Sequence, residues 1–271
     1  GGLLAAALCA QAEPLAGGVP TWVAEQYQAD KRQFAEDPDV LVRPGMRADR
    51  TRRRVTLFAT LRFPEYPVEY FMVWDRSGRD YESLLLSHAE PGAVHEGLQF
   101  IGLEPGRPVD YEDLRFWPRG ERVQAGVRPF KSAGKESKPV PVQSFVHDLR
   151  TGRALPDEGL VFVGSQMIES RNSPGRLVYA ADAEEPHSIA SNYNEPWTVL
   201  DIPASLAKGE AYDAFVLESR HGYEDGARVR VVLQPEPRPD GVPRVAEVTL
   251  RAEPEGEDTS RRRAAVAALR R

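Results

Sequence analysis

The sequence predicts an α+β fold in which an antiparallel or mixed β-sheet predominates and one or two short helices pack on it. Three observations lead to this prediction. The second half of the chain contains a series of short apolar segments rich in Val, Leu and Phe. Clusters of Pro and Gly separate these segments at short spacing, which favours antiparallel or mixed pairing over a doubly wound parallel sheet. Helical patterns occur only near residues 21–39 and 90–102.

Composition sets the broad class of protein. The 271 residues can form one large domain or two small ones, with a core that needs no disulfides. Apolar residues make up 41% and charged residues 28% of the chain, close to the averages for globular proteins. The net charge of −6 combines acidic and basic residues along the whole chain. Without a basic face, we expect no nucleic-acid partner and no attraction to an anionic membrane.

The first residues, GGLLAAALCAQAEP, have the pattern of the end of a signal peptide. A short apolar run leads to the small-x-small site Ala10, Gln11, Ala12, which predicts cleavage before Glu13; the alternative is an Ala-rich first helix. Residues 1–12 would then be a signal-peptide remnant. We expect the mature protein to be periplasmic or extracellular after cleavage near Ala12, with no transmembrane helix.

Cleavage at that point would also remove Cys9, the single cysteine of the chain. A mature chain without cysteine can form no disulfide, thiolate nucleophile, zinc–thiolate site or cysteine-ligated iron–sulfur cluster. We therefore expect no cofactor, and the cysteine count opposes a redox function.

Residues 13–44 are predicted to form an N-terminal linker and a short helix. The linker is residues 13–20, and the helix follows in TWVAEQYQADKRQFAEDPD. Thr21 is placed to cap the helix and Pro38 to end it. Its apolar side carries Trp22, Val23, Tyr27 and Phe34.

Three strands are predicted next, at the start of a β-rich domain that spans residues 45–252. RRRVTLFATLRF alternates between apolar and other residues, and VEYFMVWD follows it after a turn that contains Pro, so we predict a β-hairpin. After a turn at residues 77–80, ESLLLSHA has the apolar content of a largely buried strand.

A helix is predicted directly after this third strand. Glu90 and Pro91 mark its start, because Pro is tolerated in the first turn of a helix. Val94, Leu98 and Ile101 follow at helical spacing and form one apolar stripe, and Gly102 is placed to end the helix.

The remaining domain is predicted to consist of strands and turns, with a polar surface loop at residues 130–141. Residues 253–271 separate acidic from basic residues and contain few large apolar groups, so we expect a disordered charged tail. The predicted strands are RVQAGV, PVQSFVHDL, GLVFVGSQ, RLVYAAD, TVLDI, AFVLES, ARVRVVLQ and RVAEVTLRA.

Three segments together resemble the YdjY domain family, as it occurs in exported proteins of planctomycetes and similar bacteria. They are VEYFMVWDRSGRDYESLLLSHAEPGAVHEGLQFIG, GLVFVGSQ and YAADAEEPHSIASNYNEPWTVLDIP, in this order and spacing. The likeness covers about residues 45–235. It implies an exported domain of unassigned biochemical activity.

The chain departs from this family at two places. Tyr81 stands where many relatives have His. Enterobacterial relatives, loosely called ferredoxin-like, carry cysteines near residues 180–192, where this chain has Asp182, Glu184, Glu185 and His187. The ferredoxin-like label therefore does not transfer.

The strand-to-helix corner at residues 82–96 is one candidate for catalysis. His88 ends the predicted strand and His95 lies one turn into the helix, with Glu82 at the strand start and Glu96 beside His95. Such a corner can hold a metal or a general base. The spacing matches no zincin motif, so hydrogen-bonded histidines at the boundary of the core explain it better, and no metal site is predicted.

Two further patterns point to catalysis only weakly. Ser165 follows Gly164 at a strand end, but Met167 occupies the second Gly position of a G-x-S-x-G elbow. His147 and Asp148 are adjacent on a strand and therefore point to opposite faces, which excludes an orienting pair there.

The polar segment at residues 182–201 is the best candidate for a binding site. Its oxygen-bearing side chains suit a hard cation such as Ca²⁺, although no EF-hand spacing is present, and its aromatic residues suit a peptide or a sugar. A polar loop without a ligand is the alternative. The candidate binding residues are Asp182, Glu184, His187, Asn192, Tyr193, Asn194 and Trp197.

We therefore predict an exported, non-enzymatic binding or protein-interaction module whose partner is a protein or a small molecule outside the cytoplasm. The alternative is a hydrolase or a metal-dependent enzyme that uses the 82–96 corner or the 182–201 loop.

Overall fold

The structure is a computed structural model that describes residues 18–131 and 137–237. The predicted signal-peptide remnant, the charged tail and the strand predicted at residues 244–252 lie outside these ranges. Within them, the α-helices are α1 (Thr21–Gln33), α2 (Pro91–Phe100), α3 (Ala180–Ala183) and α4 (Lys208–Ala211).

Strands make up most of the regular structure in the described ranges. The first eight are β1 (Val40–Arg43), β2 (Met46–Asp49), β3 (Arg54–Leu61), β4 (Tyr70–Trp74), β5 (Ser83–Ser87), β6 (Glu121–Pro129), β7 (Val140–Pro141) and β8 (Val146–Asp148). The others are β9 (Arg153–Ala154), β10 (Leu160–Phe162), β11 (Met167–Ser170), β12 (Ser173–Tyr179), β13 (Ser188–Ser191), β14 (Leu200–Asp201), β15 (Phe215–Leu217) and β16 (Arg228–Pro235).

The main sheet closes on itself. Its strands follow the order β3-β16-β6-β10-β14-β13-β4-β5, and β5 then pairs with β3. The β4–β5 and β13–β14 pairs are parallel, and the other pairs of this ring are antiparallel. The predicted α+β class with a mixed sheet is confirmed, while closure into a barrel and the two one-turn helices α3 and α4 were not predicted.

The hairpin predicted from residues 52–63 and 68–75 is wrong. Both segments are strands, β3 and β4, but β4 pairs with β5 and β13, and β3 pairs with β2, β5 and β16. The alternating pattern of β3 fixes which side chains share a face. It does not fix the neighbouring strand, because the third predicted strand, β5, inserts between the two.

One apolar core joins the barrel to α2. Val55, Leu57 and Leu61 on one face of β3 are fully buried, together with Val94 and Leu98 of α2, as the spacing predicted. Burying a side chain of this size contributes roughly 1.5–3 kcal/mol. The other face of β3 contacts α1, and α1 also pairs with β2. The Trp22 ring packs edge-on against Phe58 at 6.5 Å, and the buried Asp30 pairs with Arg47 at 2.9 Å.

Candidate functional site

A cavity of about 410 Å³ lies at the corner where β5 leads into α2. Residues from the β1–β2 turn, from the end of β4, from the first turns of α2 and from α3 line this corner cavity. Among them are Arg43, Trp74, Asp75, Arg76, His88 and Asp182. Its volume is within the range of small-molecule sites in proteins, which span about 300–1,000 Å³.

His88 lies between two hydrogen-bond partners at this corner. Its Nδ1 is 2.6 Å from Asp75 Oδ2, and its Nε2 is 3.0 Å from Thr60 Oγ1. The Asp75 carboxylate can only accept, so it favours a proton on Nδ1 and leaves Nε2 to accept from the Thr60 hydroxyl. The result is a hydroxyl–imidazole–carboxylate chain that fixes the imidazole and its tautomer.

The backbone around His88 holds this chain in place. His88 N–H donates to the Phe58 carbonyl at 3.0 Å, and Asp75 N–H donates to the Ser87 carbonyl at 2.9 Å. Gly45 in the β1–β2 turn approaches His88 so closely that a Cβ at this position would lie 2.2 Å from the His88 carbonyl oxygen. Gly45 also has a φ of +74°, so both backbone conformation and space require glycine there.

Asp182 approaches the cavity from α3 and bonds to the start of α2. Its Oδ1 accepts the Gly92 N–H at 2.7 Å, where the first turn of a helix leaves backbone donors without partners. Burial raises the pKa of Asp182, the Gly92 hydrogen bond opposes this, and nearby Glu90 raises the pKa further. A Cβ on Gly92 would lie 2.4 Å from Asp182 Oδ2, so this contact also depends on glycine.

Trp74 forms an aromatic wall of the cavity. The Arg76 guanidinium lies over its ring at 5.0 Å, and the His187 ring meets it edge-on at 5.7 Å. The ring face therefore already faces one cation within the range of a cation–π contact. At the rim, Glu96 accepts two hydrogen bonds from Arg43, at 2.6 and 2.8 Å.

The residues suggested for catalysis do not form one group. His88 and Glu96 line the corner cavity, whereas His95 Nδ1 lies 3.1 Å from the Gly164 carbonyl and 2.9 Å from the Tyr179 hydroxyl. Burial lowers the pKa of His95, which favours the neutral ring. Glu82 instead pairs with Arg79 at 3.3 Å. Its pKa is raised by burial and by the nearby carboxylate of Glu69.

The binding residues suggested at 182–201 divide into separate environments. Asp182 lines the cavity, and His187 packs against its Trp74 wall.

Glu184 is buried and pairs with Arg171 at 2.5 Å. The Trp197 carbonyl accepts from the Ser165 hydroxyl at 3.0 Å. The remaining three, Asn192, Tyr193 and Asn194, are each at most 4% exposed.

Tyr193 belongs to a second polar group, the Tyr–Glu cluster, formed by Tyr70, Tyr193, Glu195 and Asp201. The Tyr193 hydroxyl donates to Glu195 Oε2 at 3.0 Å, and the Tyr70 hydroxyl is 2.6 Å from that of Tyr193. Since Tyr193 uses its proton toward Glu195, Tyr70 is the donor to Tyr193. Burial is the main cause that raises the pKa of both tyrosines and raises that of Glu195 to about 7.

Asp201 completes this cluster with no exposed surface. Its Oδ1 accepts from Asn194 Nδ2 at 3.2 Å and from the Ile202 N–H at 2.8 Å, while Oδ2 has no hydrogen-bond partner among the residues that the structure describes. Burial raises the pKa of Asp201 well above its usual range. Glu195 and Asp201 fall within the predicted polar segment 182–201 but were not among its candidate binding residues. Tyr70 was not singled out, because its apolar neighbours on β4 carry the strand pattern.

The weaker catalytic patterns have structural partners. Ser165 adopts a φ of +55°, but its hydroxyl is bound to the Trp197 carbonyl. His147 pairs with Glu218 at 2.7 Å and Asp148 with Arg150 at 2.8 Å, on different sides of β8. The predicted separation of His147 from Asp148 is therefore confirmed.

Within residues 18–131 and 137–237, no three side chains of His, Cys, Asp or Glu group in a way that could hold a metal ion. None of the helices in these ranges has the length and continuous apolar character needed to cross a membrane. Comparisons of the chain with protein-family models, with curated proteins and with solved structures found no match.

Proposed function

We propose that this protein is an exported binding module whose corner cavity takes a small cationic ligand, such as an amine or a guanidinium compound. The observation that supports this proposal best is the lining of the cavity. Four carboxylates, of Asp75, Glu90, Glu96 and Asp182, accompany the two guanidinium groups of Arg43 and Arg76. The aromatic wall of Trp74 is a surface of the kind that cations favour.

Two of these carboxylates already have a side-chain partner. Asp75 bonds to His88, and Glu96 pairs with Arg43. Asp182 uses only Oδ1, toward Gly92, and Glu90 lies exposed at the start of α2. Asp182 and Glu90 would therefore supply the negative charge and the acceptors that a cationic group needs.

Export and membership of the YdjY family are part of this proposal. They are supported by the small-x-small site at Ala10–Ala12 and by the three resembling segments of the sequence. A binding role is favoured over catalysis because both ring nitrogens of His88 have protein partners.

Calorimetric titration with free arginine and putrescine, and with citrate as an anionic probe, tests the ligand class. We expect a cationic probe to bind and Asp182→Asn to weaken it at least about tenfold, roughly 1.4 kcal/mol, because the side chain keeps its shape but loses its charge. Asp157→Asn, at an exposed position outside the cavity, is the matched control. Preferred binding of citrate, or no binding of either cation, would contradict the proposal.

A second candidate function is hydrolysis with His88 as general base. The Thr60–His88–Asp75 chain favours it, since it has the order of groups in a catalytic triad. Turnover of p-nitrophenyl acetate that is lost in both Thr60→Val and His88→Gln would support this function. A rate equal to that of the buffer alone would exclude hydrolysis of this activated ester.

A further inference from the structure

Among the strands that form the barrel, β14 has the fewest residues paired with its neighbours. This two-residue strand pairs with β13 through a single register pair, Ala190 with Leu200, and with β10 through two. By contrast, β16 pairs with β3 over six residues and with β6 over seven. The closure of the barrel at β14 therefore depends on other contacts of residues 192–207, which surround this strand.

Asn194, together with the Tyr–Glu cluster, supplies several of those contacts. Asn194 N–H donates to the Leu206 carbonyl at 2.7 Å, and its side chain bonds both Asp201 and the Ala204 carbonyl. Glu195, 7% exposed, receives the hydroxyl of Tyr193. Two buried carboxyl groups thus lie in one short segment, and burying a charged carboxylate without a paired cation is costly.

The surrounding charges do not compensate both carboxylates. Two cations act on Glu195, but Lys208 Nζ is 2.9 Å from Glu69 Oε2 and Arg79 Nη1 is 3.3 Å from Glu82 Oε1. Each cation therefore already faces another carboxylate.

Three further titratable groups face the same region from neighbouring elements. They are Tyr70 on β4, Tyr111 in the loop before β6 and Glu210 on α4. None of the three is a cation, so a charged Glu195 has no dedicated counter-ion among the described residues.

We propose that Glu195 is a pH switch for the pairing of β14 with β10 and β13, which we call the seam of the barrel. With a proton on Glu195 the 192–207 segment holds β14 against β10 and β13, and loss of this proton loosens the segment. The seam is therefore tightest in acidic surroundings and opens more often near pH 8.

The direction of the pH effect on stability follows from the direction in which the pKa of Glu195 changes. Burial, opposed by the Tyr193 hydroxyl and by Lys208, raises the pKa of Glu195 from 4.5 to about 7. A group with a raised pKa in the folded state contributes stability that is fully present below the unfolded value of 4.5. This contribution is lost as the pH rises through about 7.

Hydrogen exchange of the full chain at pH 5 and pH 8, corrected for the intrinsic exchange rates, tests the switch. We expect the amides of residues 192–207 to lose protection about tenfold or more at pH 8, with β3 and β16 little changed. Glu195→Gln, which imitates the protonated acid, should remove this difference, whereas Glu104→Gln, an exposed control, should keep it. Equal protection at both pH values, or a difference that persists in Glu195→Gln, would overturn the proposal.

Tyr193→Phe keeps the proposal testable if Glu195→Gln does not fold. The Tyr193 hydroxyl lowers the pKa of Glu195, so its removal should move the loss of protection to higher pH. A midpoint that is unchanged or lower in Tyr193→Phe would overturn the switch. A tyrosine with only a structural role would reduce protection at both pH values and leave the midpoint where it is.

Discussion

The corner cavity and the Tyr–Glu cluster lie at the two ends of the same pair of strands, β4 and β13. Trp74 ends β4 at the cavity, next to His187, which precedes β13. Tyr70 begins β4 at the cluster, where it pairs with Ser191, the last residue of β13. One end of the strand pair thus presents polar side chains to a cavity, and the other end buries them.

The two ends differ in the groups that act as hydrogen-bond partners of the carboxylates. At the cavity, Asp75 has a histidine partner and Asp182 accepts the Gly92 N–H through Oδ1. In the cluster, Glu195 and Asp201 depend on hydroxyl, amide and backbone donors. A cavity of this kind suits binding, whereas closed polar networks fix the conformation of the chain around them.

The largest effect is expected from Asp201→Ala in the cluster. The change removes the acceptor of Asn194 Nδ2 and of the Ile202 N–H, and leaving buried donors without partners costs about 1–3 kcal/mol each. We expect the free energy of unfolding, measured in urea at pH 6, to fall by about 3 kcal/mol. The exposed control Asp157→Ala should change it by less than about 0.5 kcal/mol. Equal effects of both substitutions would mean that the cluster does not stabilise the fold.

A smaller loss is expected from His88→Leu at the cavity. Leucine fills much of the same space but deprives Asp75 and Thr60 of their shared partner. Because Asp75 can turn to the solvent in the cavity, we expect a loss of only about 2 kcal/mol in the same urea experiment. A loss larger than that of Asp201→Ala would reverse the comparison between the two ends.

Tyr70→Phe tests a single hydrogen bond of the cluster. It removes one hydroxyl donor and keeps the ring, so the expected loss in the free energy of unfolding is about 1 kcal/mol. Tyr66→Phe, at a tyrosine that is 65% exposed, is the control and should have no measurable effect. No loss for Tyr70→Phe would indicate that water replaces the hydroxyl.

The smallest effect is expected at the rim of the cavity. Arg43 and Glu96 form a salt bridge with side chains that are 42% and 46% exposed, and such pairs contribute about 0–1 kcal/mol. Arg43→Gln should therefore lower the thermal unfolding midpoint by no more than about 2 °C. A larger drop would place the rim among the elements that hold the fold together.

Local sequence patterns were sufficient to predict several elements of the structure. The helix at Pro91–Phe100 and its buried stripe follow from the Pro start, the spacing of Val94, Leu98 and Ile101, and Gly102, which has a φ of +84°. These signals involve residues within one or two turns of each other, so they can be recognised in the sequence without knowledge of any tertiary contact. His88 was also identified from its position after a buried strand.

The partners of these residues could not be predicted in the same way. Asp75, which bonds His88, is 13 positions away in the sequence, and Tyr70 and Tyr193 are 123 positions apart. Nothing in a local pattern connects such pairs, because strand order alone brings them together. The predicted hairpin of β3 and β4 was wrong for the same reason.

The sequence by itself determined the fold class, the location of most strands and of the first two helices, and which residues of β3 share one face. Each of these depends on the periodicity and capping of neighbouring residues. Only the tertiary structure decided that the sheet closes into a barrel and that residues 182–201 contribute to two different sites. Both depend on which strands pair, and that choice is made by packing over the whole core, to which each segment contributes only a part.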